Sequence, residues 1–249
     1  MDLGIAGKRA LVCASSKGLG RGCAEALAEA GVHLVLNARG AEALEATAAE
    51  IREAYGVEVV AVAADIATED GRAKVLEAAG EVDILVNNAG GPPPGMWHDW
   101  TRDDFIAALD ANMLAPIALM TALMPKMIDR GWGRVIHISS IMGLVSKEGR
   151  NAYSATKSGL LGLTRASALD LGSTGITVNA ICPGPFLTDL PRSVLTEDQV
   201  AFFAERTALG RWGDPRELVG SALLLGSEAG SYITGTAITV DGGTVIKSF

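Results

Sequence analysis

Short apolar runs rich in β-branched residues alternate along the chain with longer segments in which apolar residues recur every three or four positions. The short runs predict strands and the longer segments predict helices, because side chains alternate across a strand but return to one face of a helix after each turn. The predicted strands cover residues 9–14, 32–37, 57–63, 82–87, 134–139, 176–182 and 236–241. The predicted helices cover residues 19–30, 41–55, 69–79, 102–111, 114–130, 153–172, 197–207 and 215–227.

The predicted strands are almost continuously apolar, as expected when helices cover both faces of a parallel sheet. The alternation of strands and helices predicts an α/β fold, a doubly wound, Rossmann-like arrangement of seven parallel strands flanked by helices. No linker, internal repeat or block of like charge divides the sequence, so we expect residues 1–249 to form one domain. Ligands of such folds bind at the carboxyl ends of the strands, which directs attention to the loops that follow them.

Composition narrows the classes of partner. The chain has 249 residues, 49% of them hydrophobic, and a formal net charge of −8. This balance disfavours a nucleic-acid partner, because phosphate backbones are bound by clustered Lys and Arg. The N-terminus lacks the basic start and apolar core of a signal peptide, and no apolar run approaches the ~20 residues that span a bilayer. We therefore expect a cytoplasmic protein without a membrane partner.

Neither the cysteines nor the histidines predict a metal site. Cys13, Cys23 and Cys182 lack C-x-x-C spacing and are expected to be small core residues. His33 and His137 lie within predicted strands and are expected to pack in the interior. His98 lies in a predicted loop, and its role stays open.

A glycine-rich turn follows the first predicted strand and leads into a helix, with the sequence Ala14-Ser15-Ser16-Lys17-Gly18-Leu19-Gly20. Glycines let the backbone approach a pyrophosphate, and the start of a helix offers free N–H groups and the positive end of its dipole. Cys23 stands where the third Gly of G-x-G-x-x-G belongs, so the pattern alone is equally compatible with a structural turn.

A possible proton-transfer site combines Tyr153, Lys157 and Ser140. Residues four apart share one face of a helix, so Lys157 lies near the Tyr153 phenol and is expected to lower its pKa from about 10. The hydroxyl of Ser140 would then meet the same substrate carbonyl. Taken alone the Tyr-Lys pair is weak, since any tyrosine and lysine on one helix face would match.

The order of these motifs resembles the short-chain dehydrogenase/reductase family, of the single-domain type, over essentially the whole chain. That family begins with T-G-x-x-x-G-x-G, and here Cys13-Ala14 replace T-G ahead of Gly18 and Gly20. The remaining motif residues stand at the expected places: Asp65, Asn87-Asn88-Ala89-Gly90, Asn112, Ser140, Tyr153, Lys157, Pro183-Gly184 and Thr188. The resemblance implies a dinucleotide-binding and catalytic domain that reduces carbonyl groups.

The resemblance also implies a role for each catalytic residue. Tyr153 would donate a proton to the substrate oxygen as hydride reaches its carbon, and Ser140 would hydrogen-bond that oxygen. Lys157 would lower the tyrosine pKa and hold the nicotinamide ribose, and Asn112 would position a water in a relay behind the lysine. Family spacing alone selects Ser140 over Ser139 here, and Asn112 alone would be interpreted as a helix-end residue.

The cofactor implied is NADP(H). An NAD-preferring relative places an acidic residue after the second strand, where this chain has Asn37-Ala38-Arg39. Arg39 and Lys17 are expected to clamp a 2′-phosphate, the alternative being that both are solvated surface cations. The cofactor-binding residues implied are Ser15, Ser16, Lys17, Gly18, Leu19, Gly20, Arg39, Asp65, Ile66, Asn88, Ala89, Gly90, Tyr153, Lys157, Pro183, Gly184 and Thr188.

Two segments are candidates for the substrate pocket. Residues 189–212 contain Phe202 and Phe203 and correspond to the segment that the family uses as a substrate lid. The Pro-rich stretch 90–95, followed by Trp97 and Trp100, predicts a stiff second wall, although the tryptophans are equally compatible with core packing.

The expected substrate is a small free ketone or aldehyde. A 3-oxoacyl-(acyl-carrier-protein) reductase is the alternative, but residues 129–134 and 172–174, where a basic docking patch would be expected, supply two arginines, Arg130 and Arg134. An inactive nucleotide-sensing scaffold is the alternative of another class, and the complete Ser-Tyr-Lys-Asn set argues against it. By resemblance the protein is expected to be a homo-oligomer, with a homotetramer as the common form.

Overall fold

The computed structural model describes residues 2–91, 95–188 and 195–247. Strands and α-helices alternate along these ranges as the sequence predicts. The strands are β1 (Arg9–Cys13), β2 (His33–Ala38), β3 (Val59–Ala63), β4 (Ile84–Asn87), β5 (Gly133–Ile138), β6 (Ile176–Pro183) and β7 (Ala237–Val240). The α-helices are α1 (Gly18–Glu29), α2 (Ala41–Tyr55), α3 (Glu69–Ala79), α4 (Arg102–Leu109), α5 (Ala115–Arg130), α6 (Asn151–Leu171), α7 (Glu197–Glu205) and α8 (Arg216–Gly226).

The seven strands form one sheet in the order β3-β2-β1-β4-β5-β6-β7, and every neighbouring pair is parallel. This confirms the predicted doubly wound fold. The winding reverses between β1 and β4, so the loops that leave these two strands run in opposite directions and open a crevice at their carboxyl ends. All seven predicted strands are present, with ends that differ from the prediction by one or two residues.

Helices cover both faces of the sheet and form two cores. On one face α1, α2 and α8 contribute Leu27, Ile51 and Leu225 to a cluster with the strands. On the other face α3 and α5 contribute Val75 and Leu119 to a second cluster. The central strands are buried from both sides and are therefore mostly apolar, and the loops that follow their carboxyl ends line the crevice.

The predicted helices 102–111 and 114–130 are one continuous helix. A π-helical turn, Asp110–Leu114, joins α4 to α5, and the N–H of Ala115 bonds to the carbonyl of Asp110. Such wide turns are rare inside helices and occur often at functional sites. Here the turn carries Asn112, which is fully buried.

Residues Arg102–Arg130 are long and apolar enough, by length and composition, to cross a membrane. The sequence analysis found no segment of this length, whereas the π turn joins the two predicted helices into one span of 29 residues. In the fold this helix packs its Leu119, Leu123 and Met127 side chains into the second core. That packing is typical of a core helix.

Candidate active site

Tyr153 and Lys157 lie one turn apart near the start of α6, as their spacing predicts. Lys157 is buried, and its Nζ donates a hydrogen bond of 2.8 Å to the carbonyl oxygen of Ile138 at the end of β5. The same Nζ lies 5.7 Å from the centroid of the Tyr153 ring. The lysine therefore links the helix to the sheet while its charge remains beside the phenol.

The two serines after β5 have different environments. Ser139 Oγ donates to the backbone carbonyl of Lys157 at 2.8 Å, so this hydroxyl serves to fix α6 against the sheet. Ser140 Oγ accepts from the N–H of Met142 at 3.1 Å and caps the short turn Ile141–Gly143. Its own proton is left to donate beside the Tyr153 phenol. The geometry thus favours Ser140 over Ser139 for contact with a substrate, a distinction that sequence spacing drew only by resemblance.

The electrostatics of Tyr153 differ from the sequence prediction. Burial raises the pKa of Tyr153 above its usual value, and the Ser140 hydroxyl and the charge of Arg150 lower it by less. Lys157 has no comparable effect on this pKa, so the expected lowering by the lysine is wrong for this arrangement. Arg150, whose Cζ lies 5.7 Å from the Tyr153 ring centroid, is a residue that the sequence analysis missed. Its position three residues before Tyr153 on the same helix face was the available signal.

Burial lowers the pKa of Lys157 from 10.5 to about 8. Below pH 8 the buried charge therefore lowers the free energy of unfolding by its full amount. As pH rises from about 8, the pKa in the folded protein, to 10.5, the ordinary pKa, this destabilisation disappears. A shift of this size corresponds to about 3 kcal/mol, partly offset by the hydrogen bond to Ile138.

Replacing Lys157 with Met is accordingly expected to abolish activity while raising the free energy of unfolding at pH 7 by about 2 kcal/mol. Urea denaturation of both proteins, repeated between pH 7 and pH 10, measures the difference. The gain should shrink steadily above pH 8. Lys74→Met, at an exposed lysine of α3, is the matched control and should change little at any pH. A destabilised Lys157→Met protein at pH 7 would contradict the burial cost.

Asn112 reaches the site through the π turn. Its Nδ2 donates to the carbonyl of Ala108 at 2.9 Å, whereas its buried Oδ1 has no hydrogen-bond partner among the described residues. Gly90 approaches this oxygen so closely that a Cβ at position 90 would lie 1.7 Å from it, and Gly90 has φ +126°. Position 90 therefore requires glycine, and the free Oδ1 suits an ordered water of the kind that the resemblance implies.

Two neighbouring cavities open at the carboxyl ends of the strands. The smaller, of about 180 Å³, contains the catalytic side chains Ser140, Tyr153 and Lys157 together with Leu19, Asn88, Pro183 and Gly184. The larger, of about 1120 Å³, extends from the glycine-rich turn past the ends of β2 and β3 to Asn112. Gly90 lines both. The structure thus brings residues from the loops after six strands, β1 to β6, and from α4, the π turn and α6 to one crevice.

The glycine-rich turn has the features of an anion site. Helix α1 begins without a side-chain cap at Lys17, whereas Thr68, Thr101 and Thr196 cap α3, α4 and α7. Its first N–H groups are therefore available to a ligand. A Cβ on Gly20 would lie 2.4 Å from the carbonyl oxygen of Ala14, which explains the glycine there.

Two predicted cofactor contacts have a structural task at this turn. Ser15 is fully buried, and its Oγ donates to the carbonyl of Val12 at 2.9 Å and accepts from the N–H of Asn37 at 3.2 Å. Its side chain is thus directed into the protein, and Ser15 lines neither of the two cavities. Asn88 Nδ2 donates to the carbonyls of Cys13 and Ala14, so Asn88 fixes the turn while also lining the smaller cavity.

Ala14 occupies the place of the family's glycine with φ +51°, the one left-handed non-glycine residue in the described chain. This conformation costs an alanine roughly 1 kcal/mol. Ala14→Gly is expected to raise the free energy of unfolding by about 0.5 kcal/mol once the extra backbone freedom of glycine in the unfolded chain is subtracted.

Chemical denaturation of Ala14→Gly beside Ala49→Gly measures this effect. Ala49 lies exposed within α2, where glycine should cost about 1 kcal/mol, so the two substitutions are expected to act in opposite directions. Equal losses of stability in both variants would show that the turn tolerates Ala14 without strain.

The adenosine end of the larger cavity contains Lys17, Arg39, Asp65 and Ile66. Lys17 and Arg39 are both exposed, and neither forms a hydrogen bond or ion pair with any described side chain. Asn37 is buried instead, with Nδ2 donating to the carbonyls of Val62 and Ala64. The end of β2 therefore presents a cation and no carboxylate to this part of the crevice.

Thr188 lies over the glycine-rich turn although 170 positions separate the two in sequence. A Cβ on Gly18 would contact Thr188 Cγ2 at 3.5 Å. Gly184 approaches the backbone of Asp241 so closely that a Cβ there would lie 2.6 Å from its Cα, and its N–H bonds to Val240. The turn after β6 is thereby held at the crevice by β7.

The histidines and cysteines are not among the residues that line the two cavities. His137 is buried, 3.2 Å from Asn87 Nδ2, and burial lowers its pKa to about 4, as expected for a packed neutral histidine. His33 accepts from the N–H of Glu58, and His98 is exposed in a short helical turn. Cys13, Cys23 and Cys182 are buried free thiols. Among residues 2–91, 95–188 and 195–247 no cluster of ligands suits a metal ion.

The structure describes only part of the two segments that the sequence predicts as walls of the substrate pocket. Residues 92–94 and 189–194 lie outside the described residues, and α7 forms the described part of the segment 189–212. Phe203 packs edge-to-face against Phe202 and Trp212, with ring centroids 5.7 Å apart in both pairs. Trp97 and Trp100 both pack against Phe105, and Trp97 is 73% exposed. Of these aromatic residues, Trp100 lines the larger cavity, and the others form two small aromatic groups of their own.

Comparisons with known proteins place this geometry among reductases and dehydrogenases. Residues 13–245 match the family model described as enoyl-(acyl carrier protein) reductase. The 3-oxoacyl-(acyl-carrier-protein) reductase of Aquifex aeolicus is 36% identical over 98% of this chain and 99% of its own. Gluconate 5-dehydrogenase of Gluconobacter oxydans is 34% identical over 98% and 96%. L-sorbose reductase of Gluconobacter frateurii, solved with NADPH and L-sorbose, superposes with a TM-score of 0.93 at 32% identity over 98% and 99%.

Proposed function

The chain belongs to the short-chain dehydrogenase/reductase family, and from this premise we propose that it is an NADP(H)-dependent oxidoreductase that reduces the carbonyl of a small ketone or aldehyde to an alcohol. The observation that carries the proposal is the convergence of Ser140, Tyr153 and Lys157 on one cavity that adjoins a dinucleotide-sized crevice. The same arrangement argues against an inactive scaffold, because the buried lysine charge would destabilise the fold without serving a reaction.

The crevice fits NADP(H). The uncapped start of α1 suits the pyrophosphate, Asp65 and Ile66 line the adenosine end, and Lys17 and Arg39 supply two unpaired cations for a 2′-phosphate. Tyr153 and Lys157, with Pro183, Gly184 and Thr188, surround the nicotinamide end. Bound NADPH supplies the hydride for the reduction.

The chain's own residues donate the proton that the reduction requires and replace it afterwards. Tyr153 is kept protonated by its burial, so it is a phenol able to donate to the substrate oxygen. Ser140 donates a second hydrogen bond to the same oxygen as negative charge develops on it. Arg150 stabilises the phenolate left after transfer, Lys157 would hold the nicotinamide ribose, and Asn112 Oδ1 would hold a water through which the proton is replaced.

A panel of ketones and aldehydes, followed by NADPH absorbance, tests the proposal. Polyhydroxy ketones belong in the panel, since the relatives include a gluconate dehydrogenase and a sorbose reductase. NADPH oxidation that depends on a carbonyl compound is the expected result. No turnover with any carbonyl substrate, in a protein that binds NADPH, would contradict it.

Reduction of 3-oxoacyl groups on acyl carrier protein is the second candidate, favoured by the similarity to the Aquifex enzyme. The two arginines expected to dock such a carrier are not free. Arg134 is buried and bonds to the carbonyls of Ser227 and Gly133, and Arg130 pairs with Glu81 and Asp83. A basic docking patch at 129–134 is therefore absent from this described part of the surface.

Activity on the best small ketone is accordingly expected to equal or exceed activity on a carrier-bound 3-oxoacyl group, measured as kcat/KM. Arg130→Glu should leave the ratio of the two kcat/KM values unchanged, because the charge of Arg130 is already neutralised by Glu81 and Asp83. A strong preference for the carrier-bound substrate, weakened by Arg130→Glu, would favour the second candidate. Cytoplasmic location and a homotetrameric assembly remain predictions. Cell fractionation tests the location, and sedimentation tests the assembly.

A further inference from the structure

Three cations lie against Tyr153 and against the two phenylalanines of α7. Lys147, Arg150 and Arg206 come from the loop before α6, the start of α6 and the end of α7. Arg150 Cζ lies 5.7 Å from the Tyr153 ring, Lys147 Nζ lies 4.6 Å from the Phe203 ring and Arg206 Cζ lies 4.2 Å from the Phe202 ring. Because Phe202 and Phe203 are in contact, Lys147 and Arg206 share one aromatic wall, and Arg150 lies beside the proton donor. We name these residues the cation cluster.

The members of the cation cluster affect one another electrostatically. The pKa of Lys147 is lowered first by burial and then by the positive charges of Arg150 and Arg206, and Glu148 raises it only as the smallest contribution. The three charges are therefore near enough to repel. Holding like charges together is unfavourable unless an anion compensates them.

Among the described carboxylates, Glu148 offsets the effect of these charges on the pKa of Lys147 only in part. Within residues 2–91, 95–188 and 195–247, Lys147, Arg150 and Arg206 form no ion pair, although acidic residues outnumber basic ones by 29 to 21 in the whole sequence. The next two arginines along the chain are paired, Arg211 with Glu217 at 2.7 Å and Arg216 with Asp214 at 3.0 Å. In an acidic protein whose other arginines are commonly paired, a cluster left unpaired beside the proton donor points to an anionic ligand.

We propose, on the basis of the function proposed above, that the substrate carries a carboxylate, which the cation cluster binds while its carbonyl group meets Tyr153 and Ser140. Arg150 is half-buried and its Cζ lies 5.7 Å from the Tyr153 ring centroid, so the charge it binds would belong to the same small molecule as the reacting carbonyl. The guanidinium of Arg150 offers two parallel donors to the carboxylate. Lys147 and Arg206, both exposed, attract the substrate from solution.

The position of Arg150, half-buried beside Tyr153, also favours a small acid over an acidic carrier protein as the ligand. A carrier protein would reach exposed cations at the rim, but the arm that enters the cavity carries a neutral thioester. A carrier protein would therefore engage Lys147 and Arg206 and leave Arg150 unpaired. Burial of an unpaired guanidinium next to the phenol would remain unexplained.

A matched pair of substrates tests the proposal. In 5-oxo-D-gluconate a carboxylate replaces the primary alcohol at C6 of L-sorbose, so the two compounds differ in charge at the end remote from the ketone. With NADPH, kcat/KM is expected to be at least about tenfold higher for the acid, and this ratio should fall as salt is added. Lys147→Gln should reduce the ratio by roughly tenfold. Lys74→Gln, which removes an exposed lysine that lines neither cavity, is the control and should preserve it.

Binding of the corresponding alcohols gives a readout that does not require turnover. Calorimetry of the NADP⁺-loaded protein compares the binding of D-gluconate, which has the carboxylate, with that of D-glucitol, which has a primary alcohol in its place. The proposal is supported if gluconate binds more tightly and if Lys147→Gln weakens its binding. Equal binding, or no binding of either, overturns the carboxylate proposal even where neutral ketones are reduced. Gluconate binding without any ketone reduction would instead reject the proposed reaction and keep the anion site. The small-acid proposal would be overturned in favour of a protein partner if the enzyme preferred a carrier-bound substrate and if Arg206→Gln, but not Arg150→Gln, abolished that preference.

Discussion

Tyr153→Phe is expected to lower kcat by at least about 10²-fold, the usual loss when general acid catalysis is removed, while NADPH binding persists. The substitution keeps the ring against Lys157 and Arg150 and removes the hydroxyl beside Ser140. This phenol is buried and protonated, and it is the group placed beside Ser140 to donate to the substrate oxygen. Steady-state kinetics with the best ketone, together with fluorescence titration of NADPH, separates the two effects.

Tyr232→Phe supplies the control for this experiment. Tyr232 is fully exposed near the C-terminal strand, so loss of its hydroxyl should leave both kcat and NADPH affinity unchanged. Turnover in Tyr153→Phe close to that of the wild type would show that another group donates the proton. Loss of NADPH binding in Tyr153→Phe would show instead that the substitution damages the cofactor crevice.

The second large effect concerns the choice of cofactor. The wild type is expected to prefer NADPH over NADH, because Lys17 and Arg39 are unpaired cations at the end of the crevice where the 2′-phosphate would bind. Each charge-assisted contact is worth roughly 1.5–3 kcal/mol, so losing both should cost on the order of 10²-fold or more in kcat/KM for NADPH, less where solvent screens the charges.

Combining Ala38→Asp with Arg39→Leu is expected to reverse this preference. Ala38 is the last residue of β2 and lines the crevice, so an aspartate there would repel the phosphate and accept hydrogen bonds from the ribose hydroxyls of NADH. The measurement is kcat/KM for both cofactors in both proteins. Lys74→Leu, which removes a cation away from the crevice, should leave the preference unchanged. A wild type that already favours NADH would mean that Lys17 and Arg39 are solvated surface cations.

The sequence by itself determined the order and type of the elements. Apolar runs with strand periodicity and segments with helical periodicity recur so regularly that the seven-stranded parallel sheet follows from them, and the motif spacing identified Ser140, Tyr153 and Lys157. The i, i+4 relation of Tyr153 and Lys157 is local, since it depends on one helix and no distant contact. The glycines at 18 and 20 are local for the same reason, because the turn between β1 and α1 requires them.

The tertiary structure decided what depends on residues distant in sequence. Ser139 and Ser140 are adjacent in sequence, and only the packing of α6 on β5 assigns one to the helix and the other to the cavity. The pKa of Tyr153 is set by burial, a property of the whole crevice, and for that reason the lysine beside it did not lower the pKa as its spacing predicted. Arg134, a docking candidate in the sequence, is buried beside its near neighbour Trp132 and pairs with Glu228 from a distant part of the chain. The cation cluster joins the start of α6 to the end of α7, and neighbours separated by more than 50 positions leave no periodic signal in the sequence.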